Sequence, residues 1–112
     1  MKSRTYTTEP IKDNPHNVDV RRLYDDQSAQ IMHLNLKPGD SLKPHITPVD
    51  VAFYILEGEP TIHVGEESIR FQADTLIESP KDILHYISNE SEDNARILVI
   101  KAPRPEKVTK VL

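Results

Sequence analysis

The sequence predicts an all-β sandwich or closed barrel, and three observations carry that expectation. Short segments of alternating apolar and polar residues recur at roughly 8–12-residue spacing, with turn signals between them. No stretch holds a capped 3.6-residue apolar period of helix length. Residues 51–56 and 97–100 are apolar on both faces, the pattern of strands covered from both sides.

Taken in order, residues 4–8 are rich in Thr and Tyr and are expected to add an edge strand. Over 18–24, Val18 and Val20 alternate with Asp19 and Arg21, a short strand pattern. Asp25-Asp26-Gln27-Ser28 reads as a turn. Over 29–36, Met32, Leu34 and Leu36 share one face, while Ile31, His33 and Asn35 share the other. The apolar face points into the barrel, so His33 is expected to point out. Pro38-Gly39-Asp40 and Thr47-Pro48 are turns. In the next strand Val51, Phe53 and Ile55 face inward, so Ala52, Tyr54 and Leu56 need a second cover. Glu57-Gly58-Glu59 turns the chain again, and 61–64 alternates, with Ile62 and Val64 in and His63 out. Gly65-Glu66-Glu67 is a hairpin turn into a return strand over 68–71. Two short strands follow at 75–78 and 84–88, then a polar loop at 90–94. The last strand is 95–101, after which Pro103 and Pro105 forbid another central strand.

A chain of 112 residues suits one domain with one core. The expected division is an N-terminal arm with edge strands over 1–28 and the barrel proper over 29–103. With 37% hydrophobic and 29% charged residues the composition is that of a soluble globular protein. A net charge of −4 with no basic stripe argues against nucleic acid as a partner. No apolar run approaches membrane-spanning length, and the N-terminal residues lack the apolar centre of a secretory signal. There is no cysteine, which excludes disulfides, thiolate metal sites and cysteine nucleophiles. A cytoplasmic location is expected. Nucleophilic hydrolysis has no G-x-S-x-G turn to support it, and three glycines make no phosphate-binding loop.

Two stretches carry the remaining signal. Gly39, His45 and Gly58 punctuate the first, and Pro80, His85 and Asn89 the second. Together they resemble the paired signature motifs of the cupin superfamily over about residues 39–103. The departures lie at chemically important places. Thr47 stands where the first motif has its second histidine, and Val51 where it has its glutamate. Asp74 and Asp82 replace the two glycines of the second motif. The resemblance implies a jelly-roll barrel, the double-stranded β-helix. It also implies a pocket at the barrel mouth lined by His45, Thr47, Val51, Phe53 and His85.

Two neutral imidazoles on neighbouring strands can hold a divalent transition metal, so His45 and His85 are the candidate metal ligands. Such a site needs at least one carboxylate more. Asp50 is one residue out of register, and Glu78 is the best candidate for a completing ligand. His33 and His63 are expected at the surface or an interface, and His16 falls in a polar segment with no fixed position. Either pocket histidine can equally be a buried polar residue satisfied by Thr47, Asn89 or water. Asn89 is expected to tie down a loop.

Three functional readings follow: a cupin that binds an unknown small molecule, a metal-dependent dioxygenase or isomerase with an incomplete ligand set, and a structural or oligomerising module. The first is favoured, because the pocket histidines persist while half the usual ligands are absent. A homodimer is expected, since Ala52, Tyr54, Leu56, Leu98 and Ile100 would otherwise leave an apolar patch in water; the alternative is cover by the chain's own N-terminal strands, near 4–8 and 18–24, in a monomer.

Overall fold

A computed structural model of the chain describes residues 1–106 and 110–112. It is an all-β structure, with two five-stranded antiparallel sheets facing one another. The first sheet holds β1 (Asp19–Asp26), β2 (Ala29–Leu36), β9 (Ala95–Lys101), β4 (Val51–Glu57) and β7 (Leu76–Ser79), in the order β1-β2-β9-β4-β7. The second holds β10 (Lys110–Val111), β3 (His45–Ile46), β8 (Leu84–Ser88), β5 (Thr61–Val64) and β6 (Glu67–Arg70), in the order β10-β3-β8-β5-β6. Successive strands between Leu36 and Lys101 change sheets repeatedly, which winds the chain into a double-stranded β-helix. Among the described residues no helix is long and apolar enough to cross a membrane.

Alternation along each strand sorts the side chains, and register aligns them into rows. Leu34, Ile97 and Ile55 form one inner row of the first sheet. Met32, Val99, Phe53 and Ile77 form the next. Leu36, Ile55, Ile97 and Ile87 are fully buried between the sheets. The last inner row changes character: it reads Gln30, Lys101, Val51, Ser79. The apolar face of β9 therefore ends in a lysine where the barrel opens.

Local chemistry accounts for the turns. Asp74 and Asp82 take φ of 64° and 63°, the left-handed region that glycine enters without strain and aspartate tolerates. Gly58 has φ of 80° and passes so close to the backbone of Asn94 and Ala95 that no Cβ fits there.

Three sequence expectations need correction. Residues 4–8 form no strand; a turn closes there, with Thr8 N donating to Thr5 O at 3.2 Å. His33 lies on the outer face of its sheet, as alternation requires, yet it is only 1% exposed. The N-terminal arm is the reason: Tyr6 stacks on the His33 ring at 4.3 Å, and Arg96 donates to its Nε2 at 3.2 Å. Burial and the Arg96 charge push His33 down to about 4. His63 is likewise half-buried, stacked on Tyr86 at 3.9 Å and bonded to Ser68 and Ser88.

Candidate functional site

The site is built from the two rows that face each other at the open end. On the second sheet, antiparallel pairing sets His45 directly opposite His85, flanked by Val111 and Val64. The two imidazole centroids are 4.6 Å apart, edge to face. On the first sheet stands the row of Gln30, Lys101, Val51 and Ser79. Between them lies a cavity of about 280 Å³, bordered by both histidines, Lys101, Gln30 and the apolar Met32, Leu34, Leu42 and Val99.

His85 is clamped. Its Nδ1 meets Ser79 Oγ at 2.6 Å, and its Nε2 meets Thr47 Oγ1 at 3.1 Å. Phe53 packs edge-on against the ring at 5.3 Å. Burial, with the His45 and Lys101 charges added, pushes its pKa down to about 4, so the ring is neutral at pH 7. His45 is oriented by the backbone: its Nδ1–H donates to Lys43 O at 2.8 Å, which leaves the Nε2 lone pair uncommitted. Burial lowers its pKa as well.

A third histidine, placed here by the structure alone, closes the mouth. Asn14 folds its own segment through Oδ1, which accepts from His16 N and Val18 N, and through Nδ2, which donates to Lys12 O and Val18 O. That fixes His16 beside the barrel. Its Nδ1 accepts from Lys43 N at 2.8 Å, and its ring lies 5.1 Å from His45. The backbone N–H and C=O of Lys43 thus select opposite tautomers in the two rings, Nε2–H in neutral His16 and Nδ1–H in His45. Burial and the neighbouring His45, Lys43 and Lys101 push His16 to about 4.

Of the residues singled out by sequence, His45, Thr47 and Phe53 each meet His85, but only the two histidines border the cavity; Thr47 and Phe53 lie behind His85, and Val51 is buried in the adjoining row. Glu78 is not among them. It is exposed on β7 and borders a separate, open hollow of about 580 Å³ with Ile62, Phe71 and Ile77. Its neighbour Ser79 points inward instead, because a strand alternates with period two. Asp50 is exposed and accepts from Lys81 N at 2.9 Å. Sequence reasoning passed over Ser79, Lys101 and His16. Lys101 was within reach of the period-two rule, since it follows Ile97 and Val99 on the same face. His16 depends on the Asn14 turn and gives no periodic signal.

The donor set does not fit a transition metal of the kind this family implies. Among the described residues no three His, Cys, Asp or Glu side chains are grouped to hold one. Both nitrogens of His85 are engaged by hydroxyls, and only His45 turns an unengaged imidazole lone pair toward the cavity. Thr47 and Val51, standing at the missing ligand positions, support His85 or fill the core.

These features define a class: residues 32–101 match the cupin domain family, and the chain belongs to it. An uncharacterized protein of Methanocaldococcus jannaschii, MJ0764, is 27% identical over 90 residues, which covers 80% of this chain and 78% of that protein. Its crystal structure gives a TM-score of 0.75 at 23% identity, over 88% of this chain and 92% of that one. TT1209 from Thermus thermophilus gives 0.80 at 28% identity, over 94% of this chain and all of that one. The polyketide cyclase RemF from Streptomyces resistomycificus shares the fold, with a TM-score of 0.84 at 16% identity over 100% of this chain and 85% of that one.

Proposed function

We propose that this protein binds a small molecule in the cavity between its sheets. One observation carries the reading: the core stops short of filling the barrel, and the gap is bordered by polar groups aimed inward over apolar walls. Such concave, mostly apolar sites with a few placed polar groups are where proteins hold small ligands. Titration with a library of small polar and apolar molecules, followed by amide NMR, tests it. Shifts are expected at His45, His85, Met32 and Lys101. Shifts confined to the open hollow beside Glu78 would reject the assignment.

The protein is further proposed to work as a homodimer. On the outer face of the first sheet Leu98, Tyr54 and Leu76 line up in one row, with Ile31, Ile100 and Ala52 in the next. Leu76 alone is 54% exposed. A second copy, related by a two-fold axis, would cover these rows with their own equivalents. Sedimentation equilibrium at low micromolar concentration should give twice the single-chain mass, and Tyr54→Glu or Leu98→Glu should halve it. A single-chain mass for the unaltered protein rejects the dimer.

A further inference from the structure

Lys101 is the one feature of the cavity that packing does not explain. Its neighbours along the inner face of β9, Ile97 and Val99, are core residues. The strand carries the lysine into the same space, beside Val51 and Gln30. Among the described residues no Asp or Glu borders the cavity. The ion pairs among those residues all lie elsewhere, on Arg21, Arg22, Arg70, Arg96 and Arg104. A half-buried ammonium without a counter-charge is unfavourable, and an apolar side chain of the same length would serve the fold better.

The surrounding groups sharpen the point. The three imidazoles are neutral at pH 7, held so by burial, so the ammonium is the single formal charge that the described residues bring to the space. Burial also pushes the Lys101 pKa down. His16, with Nδ1 occupied, presents Nε2–H as a donor, and the Gln30 amide adds another polar group. Met32, Leu34 and Val99 supply an apolar wall.

We propose that the cavity takes a small organic monocarboxylate, its carboxylate on the Lys101 ammonium and its carbon body against Met32, Leu34 and Val99. The proposal rests on the small-molecule reading above and names the class of ligand. Charge counting selects a monoanion: one ammonium balances one carboxylate, whereas a phosphate dianion would leave a net negative charge in a half-apolar space. The cavity volume, at the small end for ligand sites, selects a short chain over a drug-sized molecule.

The test uses hexanoate, its uncharged isostere hexanamide and inorganic phosphate, each titrated into the full-length protein and followed by amide NMR. Hexanoate should bind about tenfold or more tightly than hexanamide, the margin of a charge-assisted hydrogen bond over a neutral one. Lys101→Met should reduce hexanoate to the level of hexanamide, and Lys101→Arg should keep the preference. Equal binding of acid and amide, or a preference that survives Lys101→Met, overturns the carboxylate assignment and leaves the small-molecule site standing. Phosphate binding as tightly as hexanoate, and lost in Lys101→Met, overturns the choice of an organic acid. No shift at any cavity residue with hexanoate or hexanamide overturns both this proposal and the small-molecule reading.

Discussion

The two ends of the barrel are made from the same strands and solve opposite problems. At one end β2 finishes in Leu36, paired with Ala95, and both are fully buried. Asn89 seals that end: its Nδ2 donates to Leu36 O at 2.9 Å and Asp93 O at 2.8 Å, and its Oδ1 accepts from Ser91 N and Ser91 Oγ. Every polar group of that side chain is matched. At the other end the same row holds Gln30, Lys101, Val51 and Ser79; Val51 and Ser79 are buried, while Gln30 and Lys101 border an open space between the sheets. A double-stranded β-helix needs one end packed to hold its two sheets in register. The other end can then carry groups that weaken the fold.

Acid should have the largest effect, through His85 at the open end and His33 beneath the N-terminal arm. His33 and His85 are both almost fully buried and both pushed from 6.5 to about 4. Between those values the unfolded chain holds more protons than the folded one, so stability is complete above about pH 6.5 and falls as the pH drops toward 4. By pH 5 the loss is about 2 kcal/mol per ring. Urea midpoints at pH 7.5 and 5 measure it, and His33→Gln should remove one ring's share, about 2 kcal/mol, while sparing the cavity; His85, His16 and the other lowered rings supply the remainder. A flat profile would mean that these rings are not held neutral.

The packed end should break by sterics. Gly58→Ala combines a left-handed φ with a Cβ driven into the Asn94 and Ala95 backbone, for a loss of about 3 kcal/mol. A urea midpoint within error of the parent would show that this end has slack. Asn89→Ala strands buried partners, Leu36 O among them, and should lose about 2 kcal/mol. Lys101→Met is the counterpart at the open end, and its sign is reversed: removal of an unpaired half-buried charge should raise stability by about 1 kcal/mol. Destabilisation there would mean that the lysine holds the fold together.

The fold was largely legible because a barrel imposes alternation, and alternation is visible residue by residue. Met32, Leu34, Leu36 and Val51, Phe53, Ile55 all point as the period requires. The cupin resemblance found the same two histidines that register now pairs. Legibility failed where placement depends on something other than period. His33 faces outward as expected yet is buried, because Tyr6 arrives from a distant turn. Glu78 drew attention as a carboxylate near the second motif, but its strand sends Ser79 inward and leaves the acid in solvent. His16 is fixed by a turn that Asn14 builds with its own side chain. Tertiary contacts of this kind leave no pattern in the neighbouring sequence. Lys101 is the exception: its parity was readable, but the lysine lies beyond both motifs.

The walls of the cavity differ in how firmly they are attached. Val99, Lys101, His85 and Val51 belong to strands paired on both sides. His16 and Val111 do not: the first is held by the Asn14 turn and one bond from Lys43 N, and the second by a two-residue ladder to β3. Segments with so few backbone bonds open locally, without unfolding the rest. For a molecule bound as proposed, exchange with solvent is expected to run through these two segments. Its rate should respond to a change at either segment, such as Val111→Gly, while the overall unfolding rate stays fixed. Residence time and stability become separately adjustable properties of one small barrel.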